Sequence, residues 1–132
     1  MDNKIDLNSE DKIRMDKACE LYKEGSLNEA LPILEKLYKS HLTSPMLVAT
    51  LANLYWDLNN IEKALELFQN AVNLGPDSEK ISRGLFHILW EQDDETNAVK
   101  EIQRFINTGH ASDEYIEMAL EIKSKRGFDI RI

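Results

Sequence analysis

A repeat of 34 residues constrains this chain more than any other feature: Ala30, Ala64 and Ala98 follow one another at that spacing, in the frames SLNEALPILEKL, NIEKALELFQNAV and DETNAVKEIQRFI. Self-similarity at such a period marks a stacked architecture, in which each unit has an apolar face that it cannot bury alone and that its neighbours cover. A helix-turn-helix unit fits the period. The sequence therefore predicts an all-α chain of about three helix pairs, with little room for any other class.

Local signals agree. Ser26 with Glu29 reads as a capping box, and Ser44 followed by Pro45 reads as an N-cap with proline at the first helical position. Asp77 or Ser78, Asp93 or Asp94, and Ser112 can cap the later starts, while Gly25, Gly75 and Gly109 fall where helices should stop. Pro32 sits about six residues into its helix, where proline removes a hydrogen bond and costs about 3 kcal/mol if truly interior, so a kink or a ragged first turn is expected. No strand-like alternation competes until the last residues.

Composition narrows the function classes. With 132 residues, 42% of them hydrophobic, the chain can bury a core. Its net charge of −8 repels phosphate backbones and argues against nucleic-acid binding. The single cysteine, Cys19, excludes an internal disulfide framework and points to a reducing compartment. Met1 to Asn8 is polar and no run of 18 apolar residues occurs, so neither a signal peptide nor a membrane span is expected, and the location expected is cytoplasmic.

In the middle unit, Val48, Leu51, Ala52, Tyr55, Ala64, Phe68, Ala71 and Pro76 match the spacing of the tetratricopeptide-repeat (TPR) signature, with Val48 standing for its tryptophan and Ala52 for its glycine. Here the sequence resembles the TPR family. Small residues let the two helices of a repeat approach, while Leu51, Tyr55 and Phe68 fill the space around them. The resemblance implies an α-solenoid with repeats at 11–44, 45–78 and 79–112, a capping helix at 113–126, a flexible N-terminus at 1–10 and a tail at 127–132. Repeats one and three match less well: Arg14 and Lys17 occupy apolar places, Phe86 replaces a small residue, and Leu42 and His110 replace the closing proline. In the capping helix, Tyr115, Ile116, Ala119 and either Ile122 or Leu120 are expected to face inward.

The family's concave groove is lined by the first helix of each pair and usually holds a peptide or helix. The resemblance places in it Tyr22 from repeat one, Asn53 and Trp56 from repeat two, and Lys80, Arg83, His87 and Trp90 from repeat three, with Met15, Cys19 and Met46 as further candidates. Tyr22, Trp56 and Trp90 recur at one place, 34 residues apart. Such rings are favoured binding anchors because they bury much area at small entropy cost, although rings at this spacing also serve to pack neighbouring repeats. Lys80, Arg83 and His87 share a helical face, and Glu114, Glu117 and Glu121 lie on the corresponding face of the next helix, so mutual neutralisation is expected there, the alternative being a charged groove end that reads a partner's side chains or terminus. The family's carboxylate clamp, which grips acidic chaperone tails, has its places occupied here by Met15, Cys19, Thr50, Lys80 and Gly84; only Lys80 matches, so chaperone-tail binding is not expected.

No phosphate loop, HExxH pair, GxSxG turn or paired cysteines occur, so neither an enzyme nor a cofactor or metal protein is expected; His87 with Glu91 lacks a third ligand. The tail RGFDIRI either folds back as an apolar cover or offers a strand to a partner. The reading is a protein-interaction module, an adaptor that takes a peptide or helix in its groove. Two alternatives stand beside it: a bacterial immunity protein or secretion chaperone devoted to one toxin or effector, and a self-associating scaffold that forms homo-oligomers.

Overall fold

Seven helices and no strand occupy the described residues: α1 (Ser9–Lys23), α2 (Leu27–Ser40), α3 (Pro45–Asp57), α4 (Ile61–Leu74), α5 (Glu79–Glu91), α6 (Glu95–Asn107) and α7 (Asp113–Arg126). The computed structural model describes residues 8–41 and 43–132. The flexible stretch expected at 1–10 lies outside the described residues as far as residue 7, and Ser9 and Glu10 already belong to α1. Leu42 also lies outside them.

The helix starts follow the period. Ser44, Ser78 and Ser112 stand 34 apart, and the Oγ of each accepts an N–H three residues on, from Leu47, Ile81 and Tyr115, at 3.4, 3.3 and 3.2 Å. The second helices start at another series, Ser26, Asn60 and Asp94. There the longer side chains of Asn60 and Asp94 reach the N–H groups of Lys63 and Asn97, both at 3.3 Å, whereas Ser26 makes no side-chain cap bond. The capping box expected at Ser26 is thus not formed, and its carbonyl alone takes the N–H groups of Glu29 and Ala30. α2 nevertheless runs through Pro32 as one helix.

The turn within each pair is a left-handed residue at equivalent places: Gly25, Asn59 and Asp93, with φ of +83, +63 and +61°. That conformation lets the next N–H reach back five residues, so Ser26, Asn60 and Asp94 donate to the carbonyls of Leu21, Tyr55 and Leu89 at 2.8, 2.8 and 3.0 Å. Orphaned helix-end carbonyls are satisfied in this way, and the chain reverses.

The chain divides into two compact units, Met1–Leu74 and Gly75–Ile132. In the first, α1 packs on α2, α3 on α4 and α2 on α3. Ala18, Ala30, Ala52 and Ala64 are fully buried, and Leu34, Leu51 and Phe68 fill the space around them. In the second, α5 packs on α6, and α7 brings Tyr115 against Phe105 with ring centroids 4.9 Å apart. Tyr115 and Ala119 are buried and Ile116 and Ile122 half-buried, while Leu120 is exposed, so the inward side chain of the last turns is Ile122.

Of the two fates open to the tail, folding back is the one found. Ile130 is fully buried. The Gln103 amide donates to the Arg131 carbonyl and accepts from the Arg131 N–H, both at 2.8 Å, and the Lys123 ammonium donates to the Ile130 carbonyl at 2.8 Å. A side-chain amide here does what a neighbouring strand would do, and leaves Arg131 no free backbone group for strand addition.

A methyl group added at Gly25 would meet nothing within 4 Å, so substitution there tests backbone strain alone. Gly25→Ala is expected to lower stability in urea by about 1–2 kcal/mol, while Asn59→Gly, already left-handed, should change it by less than about 1 kcal/mol. An unmoved urea midpoint for Gly25→Ala would contradict this account of the turn.

Candidate functional site

The first helices end at the aromatic residues singled out by the repeat, because the carbonyls of Tyr22, Trp56 and Trp90 accept the N–H of the left-handed turn residue at 3.0, 2.8 and 3.1 Å. The backbone there is fixed, and all three rings are half-buried. Their surroundings differ, however, and the three do not form one kind of site.

In the first unit the Tyr22 hydroxyl donates to the Asp57 carboxylate and ties the end of α1 to the end of α3. Burial, and then the bond and charge of Asp57, push the Tyr22 phenol well above its ordinary range. Trp56 meets Phe68 of its own pair edge to face, with centroids 6.0 Å apart and an interplanar angle of 86°. Asn53 lies one turn before Trp56 on the same face, half-buried, and its side chain has no hydrogen-bond partner among the described residues. Met15, Cys19 and Met46 are half-buried as well. Thr50, in a clamp position, is occupied locally: its hydroxyl donates to the Met46 carbonyl at 2.8 Å.

In the second unit Arg83 is held by its own helix. Its Nε and Nη2 donate to Glu79 at 3.3 and 3.1 Å, and its guanidinium lies 5.6 Å from the centroid of the Tyr115 ring. Glu79 also accepts from the N–H and Oγ of Ser112, at 2.7 and 2.8 Å. Burial raises the Glu79 carboxyl, but the two Ser112 bonds and Arg83 outweigh it and hold the group below its ordinary value. The neutralisation expected across helices is therefore not found: among the described residues no ion pair joins Lys80, Arg83 or His87 to Glu114, Glu117 or Glu121, and Glu121 pairs with Lys125 at 2.7 Å. Lys80 is exposed and unpaired among the described residues. His87 is exposed against the Phe86 ring at 5.0 Å, and partial desolvation followed by the nearby Arg83 lowers its imidazole against the opposite pull of Glu91. Trp90 lies 5.5 Å from Phe86, and the Arg126 guanidinium covers it at 5.4 Å from the ring centroid. Among the described residues no cluster of three His, Cys, Asp or Glu side chains fit to hold a metal occurs.

Beneath this face is a buried polar network that the sequence did not announce. Ser82 and Tyr115 are fully buried and Glu101 is nearly so. Ser82 Oγ donates to Glu101 at 2.6 Å, because a carboxylate only accepts, and the Tyr115 hydroxyl 2.9 Å away then donates to Ser82. Arg104 grips Glu101 through Nε and Nη2 at 2.8 and 2.6 Å and donates to the Pro76 carbonyl at 3.0 Å. Glu101 falls on the same stripe as Ala98, Ile102 and Phe105, and an acid in an apolar stripe was the available signal.

A family model described as tetratricopeptide repeat matches residues 21–83. Among solved structures, a MamA double mutant is 23% identical with a TM-score of 0.72, over 80% of this chain and 60% of that one, so this chain spans about three fifths of its length. The first TPR of Spaghetti (RPAP3), bound to an HSP90 peptide of sequence SRMEEVD, is 18% identical with a TM-score of 0.74, over 95% of this chain and 100% of that one. The Sgt2 TPR domain from Aspergillus fumigatus is 16% identical with a TM-score of 0.74, over 91% of this chain and 81% of that one. These likenesses show the fold. No curated protein sequence matches.

The phenols of Tyr55 and Tyr115 are each pushed up to about 12, first by burial and then by a neighbouring carboxylate, Glu35 for the former and Glu101 for the latter. Such groups keep their protons in the folded chain when the unfolded chain has begun to lose them. Their contribution to stability is therefore complete below about pH 10 and lost as pH rises from there toward 12. Absorbance at the phenolate band should show delayed ionisation in native protein, and Tyr115→Phe should flatten the fall in stability. Ordinary titration of all the tyrosines near pH 10 in folded protein would refute this.

Proposed function

We propose, from the premise that this chain belongs to the tetratricopeptide-repeat family, that it binds a peptide or helix of another protein on the exposed faces of its first helices. The chain is a protein–protein interaction module of TPR type. The finer reading, for the first unit, is that Trp56 anchors an apolar side chain of the partner while the Asn53 amide holds the partner's backbone. For the second, Lys80 and His87 are the polar contacts, with Arg83 and Trp90 as a partly engaged wall.

One observation supports this above the others. Trp56 is fixed by Phe68 on one side yet half-exposed, and Asn53, one turn away, has both a donor and an acceptor unused among the described residues. A rigid, amphipathic ring beside an uncommitted amide is what a binding anchor needs, since little side-chain entropy remains to be lost. Tyr22 and Arg83 are less available because Asp57 and Glu79 already engage them. The Spaghetti (RPAP3) domain holds its acidic peptide on the same fold, but of the places that grip such a tail only Lys80 carries the matching residue here. A different peptide chemistry, with an apolar anchor, is the better fit.

Peptides selected on the full chain from a displayed library, then measured by calorimetry, test this. Trp56→Ala should weaken binding by about 2 kcal/mol, roughly thirtyfold, and Asn53→Ala by about 1 kcal/mol. The peptide SRMEEVD should bind with a Kd no tighter than about 1 mM. Selection that enriches no peptide, or peptides that bind both variants as well as the parent chain, would remove the reading.

A further inference from the structure

Places that are equivalent in the repeat differ in whether anything lies over them. Leu47 and Ile81, and Leu51 and Leu85, are each at most 2% exposed, and their equivalents in α1 are Ile13 and Lys17. Ile13 is 69% exposed. It forms one side of a shallow apolar depression whose other wall is Pro32 and Ile33 of α2, with Arg14, Lys17 and Lys36 around it. Arg14 is taken up by Asp11 at 3.0 Å and Glu10 at 3.8 Å, whereas Lys17 and Lys36 have no ion-pair partner among the described residues. An isoleucine open to water, flanked by two uncommitted ammonium groups, stands out in a chain of net charge −8.

A patch of the opposite sign lies on α7. Leu120 is 48% exposed, although its equivalents Ala52 and Phe86 are buried. Asp113 and Glu117, seven and three residues earlier, fall on the same stripe of the helix; both are exposed and unpaired among the described residues. Ile116, one turn before Leu120, is half-buried beside them. Lys123, on the other flank, is engaged by the Ile130 carbonyl.

We propose that the α1–α2 depression receives α7 of a second copy of this chain, with Leu120 entering beside Ile13 and Pro32 while Asp113 and Glu117 meet Lys17 and Lys36. Complementarity names the occupant. Each patch pairs an exposed apolar side chain with uncommitted charge of one sign, and the signs are opposite. The contact joins two different faces, so every copy keeps one of each free, and association continues until a ring closes or a chain runs on. It uses neither Trp56 nor Asn53, and stands or falls independently of peptide binding.

The test is the mass of the full chain in solution, by light scattering and sedimentation, from about 1 μM to about 1 mM. Mass should rise with concentration and fall back when salt is added, because the charge pairs are exposed. Ile13→Asp and Leu120→Asp, both at exposed positions and checked for folding by circular dichroism, should each stay monomeric where the parent chain associates, a weakening of at least about tenfold. Mixed in equal amounts they should form a dimer and nothing larger, since one copy keeps only its α7 face and the other only its α1–α2 face. A parent chain that is monomeric throughout would overturn the proposal. So would a Leu120→Asp variant that still associates by itself, or a mixture in which no dimer forms.

Discussion

Everything in this structure depends on two helix backbones coming close enough to exclude water between them. Ala30, Ala64 and Ala98 are fully buried at equivalent places of the second helices, and Ala18, Ala52 and Phe86 are buried at equivalent places of the first. A methyl group at the crossing costs little volume, so the larger side chains on either side interdigitate. The third pair is the exception. Phe86 occupies the small residue's place, and its ring lies edge-on to His87 and tilted against Trp90 along α5. One enlarged residue at the crossing thus decides the setting of two residues expected at the binding face, which couples packing to any recognition that Trp90 and His87 perform.

The same economy links the turns to the aromatic ladder. The left-handed residue in each pair is satisfied by the carbonyl of Tyr22, Trp56 or Trp90, so the backbone bearing each ring is fixed whatever the ring touches. The rings are then free to differ. Tyr22 has a hydroxyl and finds Asp57, Trp56 lies against Phe68 of its own pair, and Trp90 meets a guanidinium from α7. A shared position in the repeat gives a shared anchor point on the helix; the chemistry of the ring and the neighbours at hand decide the contact.

The fold was legible in the sequence because its causes are local and periodic. Small residues act within their own helix pair, and the serines at 44, 78 and 112 each cap the helix that they begin, so both recur with the repeat. Ser26 makes no side-chain cap for a reason of length: Asp94 caps at nearly the same ψ, 64 against 63°, because its carboxylate reaches one atom further than a hydroxyl. The candidate faces were less legible, since what matters there is who already holds each side chain. For Arg83 the spacing points to acids on the next helix, but Glu79 one turn before it is the partner and the Tyr115 ring lies against it. Asn53 is a groove candidate from the resemblance alone, but that its amide has no partner among the described residues is not written in the repeat. Such bonds are tertiary facts, and no spacing encodes them.

The place held in turn by Arg14, Val48, Ser82 and Ile116 shows how one position answers to its surroundings. Val48 is fully buried and needs nothing more, while Arg14 is half-exposed and takes carboxylates from its own first turn. Ser82 is fully buried but polar, and a hydroxyl so placed costs about 1–3 kcal/mol if left unpaired. It is not left unpaired. Glu101 of α6 and Tyr115 of α7 bond to it, and Arg104 grips Glu101 in turn, so the desolvated carboxylate acquires a bidentate cation and a hydroxyl. Such a network adds little net stability over an apolar core, because desolvating the ions offsets most of the attraction. What it does impose is geometry: a serine hydroxyl, a carboxylate and a phenol satisfy one another in only one mutual setting, so α7 is held in register on α5 and α6. That register also sets where Arg126 meets Trp90 and where Leu120 stands exposed, and the second unit's outward chemistry thereby rests on polar groups buried beneath it.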